Sequence, residues 1–478
     1  MSASLTPRFR SGLSLAALAL LLAGCTVGPD YHGVPAVAPN AAQRTTFLRA
    51  PDATAATAPS AQWWEALGDP ILDDLVAKAL SGSPTLAAAQ ARITQARANL
   101  AATNAAFTPK ANVGASAAEV ALPGAFTNDK SRLSKQIYAE NFDASWELDL
   151  FGANRRRSEA ARDRMDAAQA SAADAAVSLS AEVVRTYAEL RVAQAHATLL
   201  DKQVDLDRRL LDHATQRFKL GTVGSQDVDE AKSALAQSES DTSDTGAQIT
   251  VLADQLAVLI GREPGALDDL VAHPAPPLHV PSTVAIGDPA RLLRSRPDIR
   301  VAERQVAAAN ADVGAHIADR FPKVTFTGIL GLGGTSVGDA FNPGSLVALA
   351  MPQIKWNILD GGRTVALKRN ARGALVEAEA KYRGTVLDAL EDAEASLTRF
   401  GSQRIALAKA AESREAAEHL AGLQVQRAQG GTLSRADALK AERQALRAKM
   451  AEISAGGTLT SDFVAVEKAL GLGWEAQK

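Results

Sequence analysis

The chain has 478 residues, 46% of them hydrophobic, enough to bury a sizeable core in roughly two to four domains. Its formal net charge of −3 leaves no basic excess to neutralise phosphates, which excludes a nucleic-acid binder. Aromatic residues are only 4%, low for a conventional enzyme core, while the alanine-rich remainder suits long helices in close contact.

The N-terminus reads as a targeting segment. Arg8 and Arg10 precede an apolar run from Leu13 to Ala23 that is too short to span a bilayer. It ends in Leu22-Ala23-Gly24-Cys25, which resembles the lipobox of a bacterial lipoprotein. Residues 1–24 are then a signal peptide, and Cys25 becomes a lipidated N-terminus leading an extended segment over 25–62. The alternative is an ordinary secretory signal with an incidental cysteine. Cys25 is the sole cysteine, so no intrachain disulfide can form. Thr26 stands where enteric bacteria carry an aspartate to retain lipoproteins in the inner membrane, so it favours the outer membrane.

The rest of the chain is written twice. Shifted by 213 positions, Leu80, Pro84, Ala89, Ala96, Ala98, Pro109 and Lys110 fall on Leu293, Pro297, Ala302, Ala309, Ala311, Pro322 and Lys323. Shifted by 210, Trp146 falls on Trp356, Gly152 on Gly362, Gly261 on Gly471, and Arg217-x3-Gly221-Thr222-x4-Asp227 on Arg427-x3-Gly431-Thr432-x4-Asp437. Repeat 1 covers 63–262 and repeat 2 covers 289–478, joined by a Pro-rich linker over 263–288 that cannot be one of the long helices.

Each repeat opens with a helix that has proline in its first turn (Pro84, Pro297) and ends before Pro109 or Pro322. A β-hairpin follows. Its strands are expected at about 110–121 and 135–148 in repeat 1, and about 323–333 and 346–358 in repeat 2. Ala111, Val113, Ala115 and Ala117 alternate with Asn112, Gly114 and Ser116, and Tyr138, Phe142 and Trp146 with Asn141, Asp143 and Ser145. This is the pattern of a transmembrane barrel strand, or of a soluble hairpin packed on helices. Long helices are expected at about 152–220 and 225–261, and again at about 362–430 and 434–470. Leu179, Val183, Thr186, Leu190, Ala193, Ala197, Leu200, Val204 and Leu211 form a heptad seam in the first of them. Four strands cannot close in lipid, where an open edge is not tolerated. A spanning sheet therefore needs other copies, eight strands from a dimer or twelve from a trimer.

Several motifs together resemble the outer membrane factor (TolC-like) family, in its NodT/OprM lipoprotein branch. They are Cys25-Thr26-Val27-Gly28-Pro29-Asp30-Tyr31, Trp63-Trp64, Trp146-Glu147-Leu148-Asp149-Leu150-Phe151-Gly152, Arg296-Pro297-Asp298-Ile299, Asp360-Gly361-Gly362-Arg363 and Gly431-Thr432-Leu433-Ser434. The resemblance implies a mainly α fold with a small β part: a homotrimer whose 12-stranded β-barrel joins a periplasmic α-helical barrel, with the linker in an equatorial belt. It implies an efflux exit duct for small molecules such as drugs, served by a periplasmic adaptor protein and an inner-membrane pump of the resistance-nodulation-division (RND) type. The other readings are a channel for protein secretion and a periplasmic lipoprotein scaffold without a pore. Gly221-Thr222 and Gly431-Thr432 would be the periplasmic tips that meet the adaptor. The family's acidic residue after the second tip glycine is replaced here by Thr432-Leu433, and a second aspartate by Lys440.

A duct must be shut at rest, so residues beside the turns are gate candidates: Asp227 after the first, Arg435 and Asp437 after the second. Both aspartates equally suit helix N-termini as caps. No catalytic or metal residues are expected, and no cofactor beyond a covalent lipid on Cys25. Gly334-Thr335-Ser336-Val337-Gly338 fits a nucleophile elbow but lies in a hairpin loop, and the seven histidines are scattered.

Overall fold

The computed structural model describes residues 26–122 and 133–474. Cys25 and nearly all of the first hairpin loop lie outside the described residues.

Helix starts are set by aspartate and proline. α1 (Pro70–Gly82) begins at a proline, whose missing N–H has no helical partner to lose, and the Asp69 carboxylate accepts from the Ile71 and Leu72 N–H groups at 2.9 and 3.4 Å. α2 (Pro84–Asn104), strands β1 (Lys110–Leu122) and β2 (Leu133–Leu148), and helices α3 (Ala153–Lys219) and α4 (Ser225–Leu259) complete the first set. The second set runs in the same order. α5 (Pro289–Ser295) is capped by Asp288, which accepts from the Arg291 N–H at 2.7 Å. Then come α6 (Pro297–Ala318), β3 (Lys323–Gly334), β4 (Leu346–Lys355), α7 (Arg363–Gln429) and α8 (Arg435–Ala469). α3 and α7 are 67 residues each, about 100 Å of helix.

The duplication extends to single bonds. The Trp146 indole donates to the Phe107 carbonyl at 3.0 Å, and the Trp356 indole to the Arg320 carbonyl at 3.0 Å. The two repeats differ in their hairpins. β3 runs through Gly334, one residue beyond the expected 333, and its Gly331 and Gly333 lie close to β2, where a Cβ would press on the Glu140 or Tyr138 carbonyl. Two 3₁₀ turns, Val337–Phe341 and Pro343–Ser345, fill the loop instead. β4 stops at Lys355, three residues short of the expected 358, because its partner Lys323 is the first residue of β3.

The chain divides into two compact units, and each draws on both repeats. One unit comprises 26–35, 93–168 and 302–382 and contains the sheet, in the order β1-β2-β3-β4, antiparallel throughout. Val113, Phe142 and Leu330 share one row across it, and Trp146 and Phe326 another on the same face. Asn112 and Asp143 lie on the opposite face.

The other unit comprises 36–92, 169–301 and 383–474. Its helices lie in the order α4, α3, α8, α7. Arg208 of α3 pairs with Glu239 of α4 at 2.9 Å. α3 meets α8 through Arg443–Asp207 at 3.1 Å and His196 Nε2 to the Met450 carbonyl at 3.2 Å. α8 meets α7 through Glu452–Arg414 at 2.6 Å and Gln403 Nε2 to the Ala455 carbonyl at 2.9 Å. The interior place of α3 explains why it buries more than one heptad row, Val184, Tyr187 and Leu210 among the additions. Trp63 and Trp64 pack into this unit's core, with Trp63 edge-on to Phe463 at 5.7 Å. A parallel bridge of Thr54–Ala55 with Val284–Ala285 ties the N-terminal segment to the linker.

Candidate functional site: sheet edges, helix tips and the N-terminal seat

The sheet leaves β1 and β4 each paired on one side only. Apolar side chains stand exposed along the last strand and beyond it: Ile354 at 73%, Trp356 at 57% and Leu359 at 96%. In water such a surface is untenable for a monomer. Among the described residues no helix is long and apolar enough to cross a membrane. Alternating strands with one aromatic and aliphatic face are the spanning elements this chain offers.

The two helix tips are built alike. Gly221 and Gly431 both take φ near +71°, a left-handed conformation that favours glycine. The Thr222 N–H donates to the Arg217 carbonyl at 2.9 Å and the Thr222 hydroxyl to the same oxygen at 3.0 Å. Thr432 repeats both bonds to the Arg427 carbonyl, at 2.9 and 3.1 Å. This is a Schellman ending, in which the threonine adds a second donor to an otherwise orphan carbonyl. The tip threonines thus hold the turn as well as lining it.

The return helices start differently. Ser434 caps α8: its hydroxyl accepts from the Asp437 N–H at 3.1 Å and donates to the Asp437 carboxylate at 2.7 Å. Ser434 is thus the cap of α8, and Asp437 holds its hydroxyl. Asp227 lies in the first turn of α4, whose N-cap Gly224 makes no side-chain bond. Among the described residues neither Asp227 nor Arg435 forms an ion pair, so the fold does not join the three gate candidates within one chain.

Two buried polar groups were not singled out from the sequence. Asp207 is 1% exposed and meets Arg443 across the α3–α8 seam, beside a cluster of Leu206, Leu210 and Leu439. A signal existed: the heptad row steps from Val204 to Leu211 across Asp207. Arg191 is fully buried without a carboxylate. It donates to the Tyr187 hydroxyl at 2.8 Å, to Gln194 at 2.8 Å and to the His273 carbonyl at 3.3 Å, and Tyr187 in turn donates to Asp69 at 2.6 Å. This network fastens the linker and the start of α1 to α3. Ser336, the would-be nucleophile, has its hydroxyl engaged in a capping box with Asp339.

The residues after Cys25 are firmly seated. The Val27 N–H donates to the Phe151 carbonyl at 3.2 Å, and Asn310 Nδ2 donates to the Pro29 carbonyl at 3.1 Å. Arg156 pairs with Asp30 at 2.5 Å, and this guanidinium holds the Asp30 carboxyl below the usual range. The Tyr31 phenol, next to Arg304, is pushed up to about 12 by burial.

A duplicated hairpin-and-long-helix chain with a lipid-facing sheet defines the class, an outer-membrane channel subunit extending into the periplasm. The sequence model of the outer membrane efflux proteins matches residues 75–262 and 289–472, and the chain belongs to that family. It is 28% identical to nodulation protein T of Rhizobium leguminosarum bv. trifolii, over 89% of each chain. It is also 28% identical to the pyoverdine export outer membrane protein OpmQ of Pseudomonas aeruginosa, over 98% of each. Among solved structures, the outer-membrane channel OprN superposes with a TM-score of 0.85 at 30% identity, covering 94% of this chain and all of that one.

Proposed function

We propose that three copies close their sheets into a 12-stranded barrel, forming the outer-membrane exit duct of a tripartite efflux pump for small molecules. The observation that carries this reading is the four-stranded sheet with two unsatisfied edges. A dimer would close eight strands, whose interior side chains fill, whereas a duct needs a wider barrel. The duplication also supplies a register for the contact. Ala144 of β2 faces Gly328 of β3. Carried to the equivalent positions in the other repeat, the same pairing sets Ile354 of β4 opposite Ala115 of the next copy's β1. The apolar faces of the two sheets then remain continuous. Cys25 carries the lipid anchor, and the segment that follows it in sequence is seated on Phe151 and Arg156. The tips at Gly221-Thr222 and Gly431-Thr432 meet a periplasmic adaptor, behind which stands an RND-type pump. Arg435, without an ion-pair partner among the described residues, latches to an acidic tip residue of a neighbour.

The test combines I354C and A115C in one chain, in membranes from cells labelled with palmitate. Oxidation should give dimers and covalently closed trimers that carry label, and the purified trimer should conduct in planar bilayers. Uncross-linked chains, or trimers without conductance, would defeat the channel reading. An unlabelled wild-type protein would defeat the anchor alone.

A further inference from the structure

The sheet carries a furrow on its apolar face. Ala144, Gly328 and Ala350 stand side by side on β2, β3 and β4. The larger Trp146, Phe326 and Pro352 form the row on one side of them, and Phe142 and Leu330 stand on the other. The small row and the aromatic row line a groove of about 340 Å³ whose walls are mostly apolar. A Cβ at Gly328 would meet no atom within 4 Å, so this glycine leaves the space open. Crossing three strands makes the furrow roughly 10 Å long.

β4 leads from the furrow into α7 by way of the exposed Trp356, Ile358 and Leu359. Arg363, Lys368, Arg369 and Arg372 then fall in the first three turns of α7, and no acidic residue stands between Asp360 and Glu377. Among the described residues none of the four forms an ion pair. The Asp360 carboxylate caps the helix instead, accepting from the Gly362 and Thr364 N–H groups at 3.0 and 2.9 Å. α3 also opens on arginines, but Arg155, Arg156 and Arg157 pair within the chain with Asp149, Asp30 and Asp319. Cations near a helix N-terminus gain nothing from its dipole, so helix stability does not account for the four on α7.

The duplication places them on the outside. Arg372 is equivalent to Arg162, which stays exposed on α3 although α2 and α6 lie beside it, through Ser158–Asn104 and Arg157–Asp319. Arg369 is equivalent to Glu159, a partner of the Arg156 that holds the leading segment. That segment runs outside the duct, because an acylated Cys25 must reach lipid.

We propose that the furrow and the α7 cations form one site for an anionic phospholipid of the inner leaflet. Its acyl chain crosses Ala144, Gly328 and Ala350, and its phosphate meets Arg363, Lys368, Arg369 and Arg372. The site rests on the reading that the sheet spans the membrane. Each part then has its counterpart in the lipid: an apolar slot at the level of the hydrocarbon, and cations where the headgroups begin. A zwitterionic headgroup carries its own ammonium and has less to offer four cations.

Brominated lipids test it, since bromine quenches nearby indoles and Trp146 borders the furrow. The purified full-length protein is placed in vesicles of phosphatidylethanolamine with a small fraction of phosphatidylglycerol, with bromine on the acyl chains of one lipid or the other. Brominated phosphatidylglycerol should quench beyond its share of the bilayer. R363Q/K368Q/R369Q/R372Q should weaken that preference by roughly tenfold or more. G328I fills the furrow and should abolish it while all four cations remain. Quenching that only follows bulk composition, or that neither variant changes, overturns the site and leaves the channel standing. A quadruple variant that shifts the ion selectivity of the channel and keeps the lipid preference puts the cations in the duct and overturns it too. Preferential quenching seen only in C25A assigns the furrow to the chain's own acyl group, against the proposal. Protein that enters neither kind of vesicle defeats the membrane-spanning sheet itself.

Discussion

Glu467 lies in the last turns of α8, 3% exposed, with one carboxylate oxygen unpartnered among the described residues. Burial pushes this carboxyl up to about 8 from an ordinary 4.5. The folded chain therefore holds a proton that the unfolded chain releases near 4.5. The associated stability is fully present below pH 4.5 and is lost as pH rises towards 8, a difference on the order of several kcal/mol. Glu467→Gln should remove that slope and raise stability at neutral pH. Denaturant unfolding of the detergent-solubilised protein at a series of pH values measures it. Equal slopes in both proteins would show that Glu467 ionises without cost.

At the scale of elements, each tip turns on one glycine in a conformation that would strain any other residue. A side chain at φ near +71° costs about 1–2 kcal/mol, and a β-branched one more. Gly431→Val should therefore fray the last turn of α7 and lose the Thr432 bonds to Arg427, lowering export while trimers persist. Normal export at normal abundance would show that the turn geometry is not used. The long helices and the paired hairpins were legible because their signals are periodic and punctuated: proline at Pro84 and Pro297, glycine at each reversal. What could not be read was which faces α3 buries, since a heptad row identifies one neighbour and α3 has two. Asp207 and Arg191 were hidden for the same reason, as charge in a helix reads as surface until a second helix covers it. Asp437 reads by residue type as a cap, but the cap of α8 is Ser434, whose hydroxyl Asp437 holds.

For the whole molecule, closure depends on contacts that a single chain leaves open. Asp207 and Arg443 fasten α3 to α8, and their equivalents on α7 and α4 are Ala417 and Ser233, so placing the same pair there should tie neighbouring copies of the proposed trimer together and shut the duct. A417D combined with S233R is expected to reduce open events in planar bilayers, and Arg435→Glu to increase them by repelling the acidic neighbour. Either variant behaving as wild type would separate its residue from gating. The opposite signs expected of the two variants guard against a general loss of stability.

The close approach of Gly28 to Gly314 bears on how a doubled chain avoids confusing its halves. A Cβ at position 28 would meet the Gly314 Cα at 2.5 Å, and one at 314 would meet Arg156 at 2.9 Å. The position equivalent to Gly314 in the first repeat is Ala101. The position equivalent to Arg156 in the second repeat is Ala366, so only the α6 side offers the guanidinium that holds Val27, Gly28 and Asp30, and the leading segment works as a key that tells one half from the other. Its lock lies 281 residues downstream, where Asn310 holds Pro29. This early segment must therefore wait for most of the rest of the chain to be made. Pairings so distant in sequence carry a large closure entropy and come late in folding, so the seat of Val27 to Asp30 is among the last places to be filled.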